Sequence, residues 1–222
     1  MGDRYSVSYL TLRKMIGILG ILLPTVCVAF GMLFGGLELQ GSISAYYHTN
    51  VRDFFVGLLV CVGLFMSTYG GYDKIDRAVS WILSISAVGI ALFPCRLDPT
   101  IWDKVSIFQL NPAVSNMIHL ISAGTFFLTL AFNSFFLFTK TTPNKPMTSE
   151  KEKRNLIYRI CGIVIFACCI LDVIYVKFVS GDNGAIVFFE TIMLYAFGTS
   201  WLVKGETILK DKVIVTESKF PL

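Results

Sequence analysis

Charged residues are scarce in this sequence of 222 residues. Asp, Glu, Lys and Arg make up 15% of it, against about 25% in an ordinary soluble domain, while hydrophobic residues reach 55% and the mean hydropathy is +0.68. This balance excludes a disordered chain, a small disulfide-stapled domain and a coiled coil. It is typical of a protein that crosses a membrane several times.

Motifs of several soluble protein classes are also missing. The sequence has no glycine-rich phosphate loop, no zinc-ribbon spacing and no GxSxG elbow. The net charge of +4 does not indicate a nucleic-acid-binding protein, because the basic residues occur in short stretches between apolar runs. We therefore expect membrane lipids, and no nucleic acid, as partners of the chain.

Cysteine and histidine do not form a recognisable framework either. Five of the six cysteines lie inside apolar runs, where cysteine behaves as a small hydrophobic residue, and only Cys95 ends such a run. The pattern therefore does not predict disulfides. The chain has two histidines, His48 and His119, so a zinc site built on them would also need carboxylate ligands.

Six apolar segments are long enough to cross a bilayer core, which takes about 20 residues as a helix. They run over residues 15–35, 54–71, 78–94, 114–139, 156–178 and 185–203. The first is longer than the core of a signal peptide, roughly 7–15 residues, which predicts an uncleaved span. We therefore expect an all-α bundle of six transmembrane helices over residues 1–205, followed by a tail over residues 206–222.

The distribution of Lys and Arg predicts the orientation of the bundle. With the N-terminus inside the cell, all but four of the 19 basic residues fall on the inner side, and the four outer ones are Arg52, Arg96, Lys104 and Lys177. Inner loops of membrane proteins are enriched in Lys and Arg. Both termini are therefore predicted to be cytoplasmic.

The two long outer connections, residues 36–53 and 95–113, are rich in aromatic and aliphatic side chains. Long loops are usually functional or disordered, and these are too apolar to be disordered. We expect them to fold back onto the outer rim of the bundle. Tyr46, Tyr47 and Trp102 would then lie at the level of the lipid headgroups and line the entrance to a pocket.

Ionisable residues collect near the predicted outer face. Asp172 lies eight residues before the turn at 180–184 and Glu190 six residues after it, so the two carboxylates lie at a similar depth, on the order of 9–12 Å from the turn. The other members of this layer are His119 at a similar depth and, nearer the surface, His48, Asp53 and Arg96.

Because the inner two-thirds of the bundle shows nothing comparable, this layer predicts a polar pocket open to the outside. One of two neighbouring carboxyl groups should stay protonated, and could then act as a general acid or carry a proton. Structural roles are the alternative: a pairing of Asp172 with Lys177 or Arg96, a contact of Glu190 with Tyr195, and a helix cap at Asp53.

Residues 41–53 (GSISAYYHTNVRD) and the last span, with Phe188, Glu190, Gly198 and Trp201, resemble a family of uncharacterised bacterial six-span integral membrane proteins. The resemblance covers most of the chain. It implies a location in the bacterial inner (plasma) membrane, and it implies no activity.

Within residues 41–53, Ser44, His48 and Asp53 resemble the first motif of the CREST superfamily, which contains alkaline ceramidases, haemolysin-III-like and adiponectin-receptor-like membrane proteins. That resemblance implies a zinc-dependent hydrolase of lipid amides. His48 and His119 would hold the zinc, and Ser44 and Asp53 would support the zinc-bound water. The superfamily has seven spans and a closing HxxxH pair, whereas this chain has six predicted spans and offers Glu190 in the last one.

Three functions follow as hypotheses. The first is a membrane-embedded lipid or amide hydrolase, whose candidate residues are Asp53, Asp172 and Glu190 for catalysis, Ser44, Tyr46, Tyr47, Arg96 and Trp102 for binding, and His48 and His119 for the metal. The second is a non-catalytic protein that binds a lipid or a partner, and Gly31 and Gly35 could then mediate contacts in a homo-oligomer. The third is a proton- or cation-coupled transporter that uses Asp172 and Glu190.

Overall fold

In a computed structural model of the protein, residues 8–97, 111–141, 147–179 and 184–210 are described. All regular secondary structure in these ranges is helical. The six helices are α1 (Tyr9–Leu33), α2 (Arg52–Thr68), α3 (Lys74–Leu92), α4 (Pro112–Leu137), α5 (Ser149–Phe178) and α6 (Ala185–Lys204). A short 3₁₀ helix, Ser44–His48, lies in the connection between α1 and α2.

Five of these helices, all except α2, are long and apolar enough to cross a membrane. Their outward faces carry large apolar side chains, among them Ile85 at 68% exposure, Ile121 at 62% and Val173 at 66%. Such wide apolar exposure is unusual in a soluble monomer, and it suits contact with lipid. The chain is therefore an all-α protein of the integral membrane type.

The ends of the helices follow from local capping residues. Asp73 accepts hydrogen bonds from the backbone N–H groups of Ile75 and Asp76 at the start of α3, and Asn111 caps α4 ahead of Pro112. The helix α5 begins seven residues before the predicted apolar segment, because Thr148 caps it and acidic residues favour its first turn.

The helices form a closed ring. Each helix packs against the next one along the chain, and α6 returns to pack against α1. The contact between α1 and α6 depends on glycine, since a Cβ atom on Gly17 would lie 2.8 Å from the carbonyl oxygen of Gly198. Aromatic rings fill the interior, with Trp201 of α6 touching Tyr69, Phe138 and Phe197.

The two ends of this ring differ in their polar groups, and we name them accordingly. The histidine end contains Ser44, His119 and Glu190. The basic end contains Arg13, Lys151 and Lys204. The connection between α1 and α2 folds into the histidine end, where the backbone N–H of Val187 in α6 donates to the carbonyl of Gly41 at 3.1 Å.

Candidate functional site

The 3₁₀ helix Ser44–His48 is packed inside the histidine end rather than on its rim. Tyr46 is fully buried and its ring lies against Gly31 of α1, while Tyr47 is 1% exposed. The Tyr47 hydroxyl accepts a hydrogen bond from Arg52 at 3.2 Å, and the guanidinium lies 4.7 Å from the ring centroid. These contacts hold both tyrosines in the core of the histidine end rather than at an open entrance, and their depth in the membrane stays a prediction.

Ser44 and His119 form a direct pair at this end. The Nε2 atom of His119 lies 2.9 Å from the Ser44 hydroxyl oxygen, and its Nδ1 atom lies 2.7 Å from the carbonyl oxygen of Phe93. A carbonyl oxygen only accepts, so Nδ1 carries the hydrogen. In the neutral ring Nε2 then has a free lone pair, which accepts the hydrogen bond from the Ser44 hydroxyl.

Two further contacts fasten the serine segment to the end of α3. The Cys95 thiol donates to the carbonyl oxygen of Ser44 at 3.2 Å, and His48 Nε2 donates to the carbonyl oxygen of Cys95 at 2.8 Å. Burial, with a smaller contribution from the charge of Glu190, raises the pKa of Cys95 to about 12. The thiol therefore stays protonated at neutral pH and serves as a donor.

Glu190 meets the same segment from α6. Its carboxyl oxygen accepts a hydrogen bond from the backbone N–H of Ile43 at 2.5 Å, and the backbone of Ser44 supplies another. Two consecutive N–H groups thus converge on one carboxyl group, directly beside the serine hydroxyl. Tyr195 does not hold Glu190, since its hydroxyl lies 3.1 Å from that of Thr25.

A small apolar cavity of about 20 Å³, room for about one water molecule, lies next to this pair. Ser44 and Glu190 supply its polar lining. Its other walls are aliphatic and aromatic side chains from α1, α2, α3, α4 and α6, including Leu23, Phe55, Ile90, Phe126 and Leu194. A hydrocarbon segment whose polar group touches Ser44 would fit there only after these apolar side chains move apart.

The zinc site implied by the resemblance to CREST proteins does not fit these residues. Both ring nitrogens of His119 are hydrogen bonded, and Nε2 of His48 faces a carbonyl oxygen. Within the described ranges no group of three or more His, Cys, Asp or Glu side chains is placed to hold a metal ion. Zinc needs at least three protein ligands.

The structure brings only some of the other candidates toward the cavity. Asp172 interacts electrostatically with Glu190, and its buried Oδ1 has no hydrogen-bond partner. Asp53 is exposed in the first turn of α2 and does not cap that helix. Arg96 is exposed at the end of α3, where its backbone N–H donates to Asn116 at 2.9 Å. Trp102 lies outside the described residues.

Sequence reasoning missed two parts of the molecule. It did not find the Phe93 carbonyl that orients His119, because no side-chain pattern marks a backbone acceptor. It also predicted no polar groups of note away from the outer face, whereas Arg13, Asp76 and Lys204 are buried at the basic end. That prediction is wrong, because residues near helix ends are counted as loop flanks when only hydropathy is considered.

No protein-family model, no curated protein and no solved structure matches the chain. The function is therefore inferred from the geometry of the histidine end.

Proposed function

We propose that the protein is a membrane-embedded hydrolase that cleaves an ester or amide of an acyl-chain substrate. Ser44 is the nucleophile and His119 the general base. The observation that carries this proposal is the 2.9 Å contact between Ser44 Oγ and His119 Nε2 at the wall of an apolar cavity. A nucleophile within hydrogen-bond reach of a base that a third group orients is the arrangement of serine hydrolases.

The chemistry follows from the positions of the protons. His119 Nε2 takes the proton of the Ser44 hydroxyl while Oγ bonds to the substrate carbonyl carbon. The bond to the leaving alcohol or amine then breaks, and the leaving group takes the proton from Nε2. Water, deprotonated by the same nitrogen, releases the acid and restores the serine. The Phe93 carbonyl keeps Nδ1 protonated throughout.

The oxyanion formed in this reaction needs donors. The backbone N–H groups of Ile43 and Ser44, which now bind the carboxyl group of Glu190, belong to the same segment as the serine hydroxyl and could supply them. In the proposal the substrate carbonyl oxygen takes the place of that carboxyl oxygen, because donors in a water-poor site stabilise developing negative charge strongly.

We also propose a sixth membrane span, in addition to the five long apolar helices. We infer that the 17-residue helix α2, which packs between α1 and α3 in the ring, is the sixth span. The bias of Lys and Arg supports a topology with both termini in the cytoplasm and the histidine end on the outer side of a bacterial inner membrane. A substrate acyl chain reaches the cavity from the lipid.

Turnover of fatty-acyl esters in mixed micelles tests the proposal. Ser44→Ala and His119→Ala should each lower kcat/KM by about 100-fold or more. The matched control is Ser115→Ala, which removes a buried serine hydroxyl bonded to the Pro94 carbonyl one turn before His119. It should leave turnover near wild type, as should prior dialysis against a metal chelator. Wild-type turnover in Ser44→Ala would exclude the serine mechanism.

One observation favours a second function. The Oδ1 atom of Asp172 is buried without a hydrogen-bond partner, and Asp172 makes no ion pair within the described ranges. An unpaired carboxyl group in a membrane helix suits a proton or cation carrier. Proton flux in liposomes that Asp172→Asn abolishes, without any ester turnover in the wild type, would favour the carrier over the hydrolase.

A further inference from the structure

The basic end buries two cations that have no carboxylate of their own. Arg13 in α1 is 8% exposed and Lys204 at the end of α6 is 5% exposed. Neither forms an ion pair with another described residue. Removing an unpaired charge from water is costly.

Asp76, whose charge attracts Lys204, is already engaged. One of its carboxyl oxygens lies 2.7 Å from the Lys140 ammonium, and the other accepts the backbone N–H of Tyr72 at 2.7 Å. Lys204 therefore has its charge opposed only from a distance by Asp76, while Lys151, Arg13 and Arg154 repel it.

Two ammonium groups converge on a single neutral acceptor. Lys204 Nζ and Lys151 Nζ each lie 3.1 Å from the carbonyl oxygen of Phe138. The two nitrogens are thus within about 6 Å of each other. A backbone carbonyl at a helix end eases the burial of Lys204 but cannot neutralise its charge.

Not all of the hydrogen-bond donors of Arg13 have an acceptor within the described residues. Its two terminal nitrogens donate to the Lys204 carbonyl at 3.4 Å and the Tyr69 hydroxyl at 3.3 Å, while its buried Nε atom has no partner. Tyrosine hydroxyls are neutral near pH 7, since their ordinary pKa is about 10, so they supply no counter-charge.

An aromatic ring separates these cations from the outside. The ring of Tyr72 lies 5.2 Å from Lys204 Nζ and 5.9 Å from the Arg13 guanidinium carbon, and Tyr72 itself is 62% exposed. It belongs to the turn between α2 and α3, next to Gly71 with its positive φ of 63°. Tyr72 is thus an exposed ring that lies against both buried cations.

We propose that Arg13 and Lys204 at the basic end bind a phosphate-bearing anion, with Tyr72 as its cover. A phosphomonoester carries up to two negative charges and several acceptor oxygens, which match an ammonium group and a guanidinium. Basic pockets between membrane helices bind lipid headgroups of this class. The site is independent of the hydrolase chemistry at the other end.

The test uses the purified full-length chain in a neutral detergent and measures its melting temperature. Phosphatidic acid, inorganic phosphate and phosphatidylcholine are titrated separately. We expect phosphatidic acid to stabilise the protein at concentrations at least tenfold below those that phosphatidylcholine needs. A similar effect of inorganic phosphate would identify a soluble phosphate compound as the ligand, and no effect of phosphate would identify the lipid.

Two variants locate the site. Lys204→Met should weaken the response to the phosphate ligand at least tenfold, whereas the matched control Lys177→Met, an exposed lysine near the end of α5 away from the basic end, should respond as wild type. Arg13→Gln serves if Lys204→Met does not fold. Equal responses to phosphatidic acid and phosphatidylcholine in the wild type, with none to phosphate, would overturn the proposal. So would an unchanged response in a folded Lys204→Met or Arg13→Gln protein.

Discussion

The two ends of the bundle hold their buried polar groups with different kinds of partner. At the histidine end, Ser44, His119 and Glu190 are fixed by directional hydrogen bonds, most of them to backbone groups of neighbouring elements. At the basic end, Arg13 and Lys204 lie against aromatic rings. Directional bonds fix the geometry that a reaction needs, whereas excess buried charge provides attraction for a ligand.

The largest effect that we expect is a loss of stability when Glu190 at the histidine end is replaced. Glu190→Ala leaves the backbone N–H groups of Ile43 and Ser44 without an acceptor, which should lower the free energy of unfolding by about 2–4 kcal/mol. Glu190→Gln should recover most of this stability, because the amide oxygen of glutamine accepts hydrogen bonds from the same N–H groups as the carboxyl oxygen does. Unfolding of both variants in detergent, followed by circular dichroism, measures the difference.

The matched control for that experiment is Glu38→Ala, which removes an exposed glutamate from the same connection between α1 and α2. It should behave as wild type. Equal losses of stability in Glu190→Ala and Glu190→Gln would mean that the charge of Glu190 matters, and the contrast between the two ends would then fail.

A smaller effect is expected from acid at the basic end. The hydrogen bond from Lys140 holds the pKa of Asp73 below its ordinary value, helped by the backbone N–H of Asp76. A carboxyl group with a lowered pKa stabilises the fold above its ordinary pKa of about 4, and this contribution is lost as the pH falls through the folded-state value. The melting temperature should therefore decrease once the pH falls below about 4.

Asp73→Asn isolates that contribution. Its melting temperature should fall less than that of the wild type over the same pH range, and added salt should shrink the difference, since Asp73 is 48% exposed. A variant that loses as much stability in acid as the wild type would show that the ion pair with Lys140 does not act at this end.

The positions of the helices could be predicted from the sequence. The apolar segments 185–203 and 78–94 correspond closely to α6 and α3, because the length of an apolar run is set by the thickness of the bilayer. The prediction was less good where polar residues extend a helix beyond the membrane, as at Ser149–Phe178, since capping and helix dipoles act outside the apolar run.

The composition of the histidine end was only partly predictable. Counting residues from the turn at 180–184 placed Asp172 and Glu190 at one depth, and the two carboxyl groups do interact. The resemblance to CREST proteins placed Ser44 and His119 in one site, but their direct hydrogen bond was not predicted, because a contact across 75 residues depends on how the connection folds into the bundle. The catalytic, binding and metal roles assigned from the sequence remain predictions.

The measurement that tests the central claim most directly is labelling of the purified protein with a serine-directed fluorophosphonate, followed by mass spectrometry of its peptides. The account predicts one phosphonate adduct on Ser44, none on Ser115, and a large loss of labelling in His119→Ala, because His119 takes the proton of the attacking hydroxyl. An unlabelled Ser44, or labelling that does not depend on His119, would contradict it.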